Sequence, residues 1–314
     1  MDRLSTLVDL IGRHAPGDGT FTSRLPGVKL IRASAPTLSM PVIYEPTICI
    51  VAQGRKQAAL GQTRYVYDPA RYLTASVELP VMGSVIEASE AEPYLCLQLD
   101  LDLAELADLV LRHPPLAGAP VAPAEGLALN DVSPALLDAA SRLLALLDTP
   151  DDLDALAPLI TREILYRLLA GPGGGVIRHM AQADSRLNQV SRAILWIRTR
   201  YREPCRIEEA AEIAGMSRST FHEHFRAITS MSPIAFRTQL RLQEARRLMV
   251  SDAADAASAG FAVGYDSPSQ FSRDYSRLFG APPARDAEQL RRESGTRAPP
   301  SSGDAARAAL PSRA

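Results

Sequence analysis

The side chains best suited to chemistry in this 314-residue sequence lie in two strings 50 positions apart, SRSTFHEHF starting at Ser217 and SPSQFSRDY starting at Ser267. At that offset Ser217, Ser219, Phe221, Phe225 and Pro233 align with Ser267, Ser269, Phe271, Tyr275 and Pro283. Each string opens on a serine suited to capping a helix N-terminus, and Pro268 follows the second one at a position where its missing N–H costs nothing. Two aromatics four residues apart then share one helical face, which is predicted to be core. The positions left to point outward are Arg218, Ser219, His222, Glu223 and Arg226 in the first copy, and Ser269, Gln270, Arg273 and Arg277 in the second. These residue types read base edges or grip phosphates: Arg suits guanine, Gln suits adenine, and Ser suits either base or the backbone. The chemistry they offer is recognition of double-stranded DNA rather than bond making.

Such a face works only if the preceding elements aim it. Residues 207–214 form an Ala-rich amphipathic helix with Glu208 and Glu209 in its first turn, and Gly215-Met216 supplies a tight turn into the first string. Helix, turn and second helix make a helix-turn-helix unit, in which Ala210, Ala211 and Ala214 permit close approach of the helices. Pro233 starts a connecting helix predicted to reach about Val250, with Leu242, Ala245 and Met249 on one stripe and Arg237, Arg241, Arg246 and Arg247 around it. A helix of that length spans roughly 25 Å, enough to hold two reading helices near one DNA turn apart.

Charge supports the division. Residues 1–187 carry 15 Lys+Arg against 22 Asp+Glu, a net −7, whereas residues 188–314 carry 19 against 14, a net +5, so only the C-terminal part has the sign a phosphate backbone attracts. Upstream, from residue 20 to 101, short apolar or alternating runs at 47–52, 64–67, 72–77, 82–88 and 94–100 are spaced as the strands of an all-β barrel or sandwich. Helical periodicity follows at 103–111, 133–147 and 156–169, until Gly171-Pro172-Gly173-Gly174-Gly175 stops it. The predicted organisation is an N-terminal segment (1–19), a β-rich domain with trailing helices (20–175), a linker (176–187), an all-α domain (188–292) and a disordered Ala/Pro/Ser/Gly/Arg tail (293–314). The fold class is α+β and multidomain.

Residues 211–225 ending GMSRSTFHEHF, Ser232-Pro233, the stretch LRLQEAR at 240–246 and GYDSPSQFSR at 264–273 closely resemble the double helix-turn-helix domain of AraC/XylS-type transcription regulators. Tyr44-Glu45-Pro46, VAQGRK at 51–56, Leu79-Pro80-Val81 and Pro93-Tyr94-Leu95 are similar to the N-terminal domain of one AraC subgroup, a cupin-like β-barrel with trailing helices. The resemblance implies a barrel that senses a small-molecule effector and forms a homodimer, joined to a module that binds a DNA operator. It also implies regulation of transcription, as an activator, with RNA polymerase as a candidate partner. Two departures stand out: Gly260 occupies a position usually held by alanine and Ala256 one usually held by a larger apolar residue, which predicts a looser second unit because Gly in a helix interior costs about 1 kcal/mol relative to Ala.

Other chemistries find little support. The histidines are His14, His113, His179, His222 and His224, none in the predicted strands, so the barrel lacks the ligand cluster of a metal site. His222 and His224 are two apart on a helix and face different directions, unlike the pair of an HExxH site. Gly171 to Gly175 follows a helix rather than opening one, and no nucleophile–base pairing is evident. No metal, cofactor or catalytic residue is therefore assigned. Cys49, Cys96 and Cys205 are odd in number and far apart, which fits a reducing cytoplasm. No stretch approaches the roughly 20 apolar residues of a membrane span, so no membrane association is expected. The alternative reading is a cupin-like small-molecule-binding protein or enzyme with a structural helical appendage, marked by turnover or stoichiometric metal; a protein-interaction scaffold would show neither these nor salt-sensitive DNA binding.

Overall fold

A computed structural model describes residues 3–114, 125–204 and 206–294. The N-terminal half begins with helix α1 (Arg3–His14) and strands β1 (Gly19–Thr22), β2 (Val28–Ala33), β3 (Met40–Tyr44), β4 (Thr47–Gln53), β5 (Arg55–Leu60), β6 (Thr63–Tyr67), β7 (Arg71–Ala75), β8 (Leu79–Glu87) and β9 (Tyr94–Asp100). Helix α2 (Leu103–Arg112), strand β10 (Leu127–Asp131) and helices α3 (Pro134–Ala145), α4 (Leu153–Ala170) and α5 (Gly174–Ala181) complete it. The C-terminal half is helical: α6 (Arg186–Thr199), α7 (Ile207–Ala214), α8 (Arg218–Thr229), α9 (Pro233–Ser251), α10 (Ala256–Ala262), α11 (Pro268–Phe279) and α12 (Pro283–Ser294). Among the described residues no helix is long and apolar enough to cross a membrane.

The strands form two antiparallel sheets instead of one closed barrel ladder: six strands in the order β1-β2-β9-β4-β7-β10 and four in the order β3-β8-β5-β6. The chain passes from one to the other at Gly54, where a register shift between Val51 and Gln53 and a φ of 76° turn β4 into β5. A Cβ at Gly54 would meet the Glu87 carbonyl at 2.6 Å, so only glycine fits this crossing. Strand β4 is buried on both faces. Cys49 and Val51 lie on the side that meets the smaller sheet, while Ile48 and Ile50 lie on the side where α1 docks with Leu7, Leu10 and Ile11. Helix α1 is thus part of the core through an i, i+3, i+4 apolar stripe.

Residues 176–187, expected as a linker, hold most of α5 and a tied turn. Val176, Ile177 and Met180 are buried, Ser185 Oγ donates to the His179 carbonyl at 2.6 Å, and Asn188 Nδ2 donates to the carbonyls of Met180 and Gln182. The glycine cluster interrupts helix only briefly. A Cβ on Gly174 would lie 2.1 Å from the Leu169 carbonyl, so these glycines let one helix fold tightly back on the last. The tail expected at 293–314 lies, beyond Ser294, outside the described residues.

Packing divides the molecule at a point the chain order does not suggest. One continuous core runs from Leu7 through Leu240 and includes α6, α7 and α8, whereas Leu242, Ala245, Met249, Ala259, Val263, Phe271 and Tyr275 form a second, smaller core. The change falls within α9.

Candidate nucleic-acid interface

The first helix-turn-helix unit is built as its residue types require. In α7 the small residues Ala210, Ala211 and Ala214 are buried, and the helix stops at Gly215, whose φ of 67° places it in the left-handed region while its N–H donates to Ala211 and Glu212 carbonyls. Ser217 then accepts the Thr220 N–H and starts α8. Phe221 and Phe225 are fully buried, edge to face with centroids 5.3 Å apart, and Phe225 continues onto Phe236 of α9 at 5.4 Å.

The second unit repeats the design. Asp255 caps α10 by accepting from Ala257 and Ser258, and the Ser258 hydroxyl bond holds its carboxyl below the usual carboxylate range. Gly264, at φ 89°, turns the chain, and Ser267 accepts the Gln270 N–H to start α11. Phe271 and Tyr275 are fully buried with centroids 5.5 Å apart. Gly260 does not loosen this unit in the way helix propensity alone predicts. A Cβ there would come within 3.0 Å of the Phe271 ring, so the missing side chain is what seats α11 against α10.

With the aromatic sides hidden, the opposite sides of both helices face outward. Arg218 is 69% exposed and ion-paired to Glu208 of α7 at 3.0 Å; Ser219, Glu223 and Arg226 are exposed, while His222 is half-buried with its ring edge-on to Phe221. On α11, Ser269 and Gln270 are exposed, Arg273 donates to the Ser269 carbonyl at 3.3 Å, and Arg277, 79% exposed, lies 3.5 Å from Asp274. Helix α9, 19 residues and so about 28 Å long, joins the two units. Helix α8 meets it near its start through Phe236, and α11 meets it further along where Arg246 lies over the Phe279 ring.

The arginines around α9 do other work than their charge suggested. Arg237 and Arg241 both donate to the Tyr201 carbonyl, and Arg241 also reaches the Arg202 carbonyl at 2.9 Å. Arg246 is buried, gripping Asp286 with two bonds of 2.8 and 2.9 Å, lying 4.4 Å over the Phe279 ring and donating to the Ser39 carbonyl at 3.1 Å. Tyr275 Oη donates to the same Asp286 at 2.7 Å, and burial together with that carboxylate pushes the phenol well above its ordinary pKa. Part of the basic surplus is therefore internal scaffolding that fixes α11 and α12 on α9. Nothing in the sequence links Arg246 to Asp286, which is 40 residues away. The C-terminal helices also engage the N-terminal half: Gln239 Nε2 donates to the Pro80 carbonyl at 2.6 Å, Arg198 pairs with Glu78, and Gly126 N–H donates to the Ile228 carbonyl at 2.9 Å.

Comparison with known proteins matches the model of the AraC-type transcriptional regulator N-terminus over residues 24–176 and that of a helix-turn-helix domain over residues 210–289. Similar proteins include the RCS-specific HTH-type transcriptional activator RclR of Escherichia coli, 35% identical over 85 residues covering 27% of this chain and 30% of the relative. Another is the virulence regulon transcriptional activator VirF of Yersinia enterocolitica, 25% identical over 164 residues covering 51% of this chain and 58% of the relative. The chain thus matches between about a third and three-fifths of the length of these relatives. In fold it is similar to ToxT of Vibrio cholerae, solved with an unsaturated fatty acid bound, at a TM-score of 0.52 and 12% identity over 86% of this chain and 97% of that one. With both of its halves matched in the order observed, the chain belongs to the AraC family of transcriptional regulators.

Proposed function

We propose that this protein is a sequence-specific DNA-binding regulator, an activator of transcription, whose helices α8 and α11 enter neighbouring major grooves on one side of an operator. Arg218, Ser219, His222, Glu223 and Arg226 of α8, and Ser269, Gln270, Arg273 and Arg277 of α11, make the contacts, with Arg218 and Gln270 reading bases and Arg226, Arg277 and the serines gripping phosphates. The observation that carries the reading is the repeated polarity of the two helices: Phe221, Phe225, Phe271 and Tyr275 have no exposed surface, while Arg218 and Arg277 are more than two-thirds exposed. The N-terminal domain serves as the effector-sensing and dimerising part, so that two chains occupy paired half-sites in the cytoplasm and present a surface to RNA polymerase. Support for a small-molecule effector comes from ToxT, a protein of the same fold solved with a fatty acid bound. No catalytic role is assigned to any residue.

Selection of bound fragments from a random duplex pool by the purified full chain tests this. The expected outcome is an enriched motif with two elements about one helical turn apart. Recovery of no motif above the input pool would refute sequence-specific binding.

A further inference from the structure

We propose that Cys49 and Cys96 form a redox-active dithiol, a modification site inside the N-terminal sandwich that a hydroperoxide converts to an intramolecular disulfide. The two cysteines stand on adjacent strands of the larger sheet, where Cys49 of β4 faces Gln98 and Cys96 of β9 faces Val51. They are therefore diagonal neighbours on the same face, the inner one, and both are free and buried. Each thiol shifts the titration of the other, and the ammonium of Lys56, on β5 of the opposite sheet, acts on both. Pairing with Cys49, and then the Lys56 charge, lower the Cys96 pKa, while Cys49 holds its proton more tightly. In the proposed reaction Cys96 attacks and Cys49 resolves.

Gln98 and Asp100 alternate with Cys96 along the strand, and Asp100, paired with Lys29 at 3.5 Å, is partly exposed at the end of the sandwich. The chemistry balances. The Cys96 thiolate attacks one peroxide oxygen, the S–O bond forms as the O–O bond breaks, and the departing alkoxide takes up a proton to leave as an alcohol, or as water when the oxidant is hydrogen peroxide. Cys49 sulfur then attacks the sulfenyl sulfur, the S–S bond forms as the S–O bond breaks, and the leaving hydroxide departs as water with the Cys49 proton. Two thiols lose two electrons to one hydroperoxide.

Diagonal neighbours have Cα atoms roughly 7–8 Å apart, whereas disulfides usually need about 4.4–6.8 Å, so closure must draw β4 and β9 together. The register shift between Val51 and Gln53 sits immediately beside the pair, where the ladder is already irregular. A bond formed under such strain is readily reduced, as befits a reversible modification in a reducing compartment.

The test uses the full chain carrying Cys205→Ser, treated with a small excess of hydrogen peroxide, unfolded in an alkylating agent and weighed intact. The expected result is loss of two hydrogens with no alkylation, a cross-linked peptide pair containing Cys49 and Cys96, and full recovery of both thiols with dithiothreitol. Cys49→Ala should instead leave Cys96 as a dimedone-reactive sulfenic acid, with circular dichroism confirming that the variant is folded. Lys56→Met, which keeps the stem and removes the charge, should slow the reaction severalfold. Two alkylatable thiols after oxidation, or a disulfide linking separate chains, would overturn the proposal.

Discussion

Replacing Arg218 with alanine separates binding from folding, because the side chain is mostly in solvent and the helix beneath it is held by other groups. Its ion-pair partner, Glu208 at 3.0 Å, is itself 53% exposed, so the lost ion pair is worth at most about 1 kcal/mol, and alanine's better helix propensity offsets part of that. The capping bond from Ser217 and the packing of Phe221 and Phe225 are untouched. Binding should respond differently: a bidentate Arg–guanine contact supplies about 1–3 kcal/mol of discrimination, or roughly a 5- to 150-fold loss of operator affinity. Titration of a labelled selected operator by fluorescence anisotropy at fixed salt measures the loss, and urea unfolding followed by circular dichroism checks the fold. Glu208→Gln makes the complementary test, since freeing Arg218 from its carboxylate should raise affinity by up to about fivefold. Unchanged affinity and base preference in Arg218→Ala, with the helical spectrum intact, would remove Arg218 from the interface and with it the assumed facing of α8.

Other expectations rest on the scaffold. Asp286→Ala strands the buried Arg246 guanidinium without its counter-ion and should cost about 3–5 kcal/mol in urea unfolding, while the double variant Arg246→Met, Asp286→Leu should recover most of it; a single-variant loss below about 1 kcal/mol would contradict the buried network. Gly264→Ala places a Cβ 2.1 Å from the Arg202 carbonyl at a φ of 89° and should destabilise by about 2–3 kcal/mol, so an unshifted unfolding midpoint would show that this turn is built otherwise. Burial pushes the phenol of Tyr72 up to about 12 and raises those of Tyr44, Tyr67 and Tyr94 as well. These groups keep their protons in the fold after the unfolded chain has begun to lose them near pH 10, so stability is fully present below about pH 10 and is lost as pH rises through about 12. Phenolate absorbance should then rise in a step that coincides with unfolding, and smooth titration of all nine tyrosines near pH 10 would exclude it.

Legibility in the sequence followed periodicity. The helix-turn-helix module was readable because serine caps, a turn glycine and aromatics four apart are local signals, and the repeat at 50 residues doubled the caps and the aromatics. Five strands were not anticipated. Strand β3 contains Pro41, β5 reads RKQAAL with charge on its first two positions, and β10 returns to the larger sheet only after a helix has intervened. Division into two sheets depends on the bulge at Val51 and Gln53, and the inward placement of Lys56 depends on register, where a slip of one residue exchanges core for solvent. Contacts such as Arg246–Asp286 and Gln239–Pro80 join residues 40 and 159 positions apart and leave no periodic trace. Gly260 shows the converse: propensity correctly identified an unfavourable helix residue, but the ring of Phe271 packed above it supplies the reason for its presence.

The most direct test of DNA recognition by α8 and α11 is the dependence of operator affinity on salt, measured for the wild-type chain and for Arg226→Gln and Arg277→Gln. If exposed arginines on both helices neutralise phosphates, log affinity should fall linearly with log salt, by about 0.9 per phosphate contacted, and each variant should flatten the slope by about one contact. An affinity indifferent to salt, or slopes identical in all three proteins, would mean that these faces do not meet the duplex.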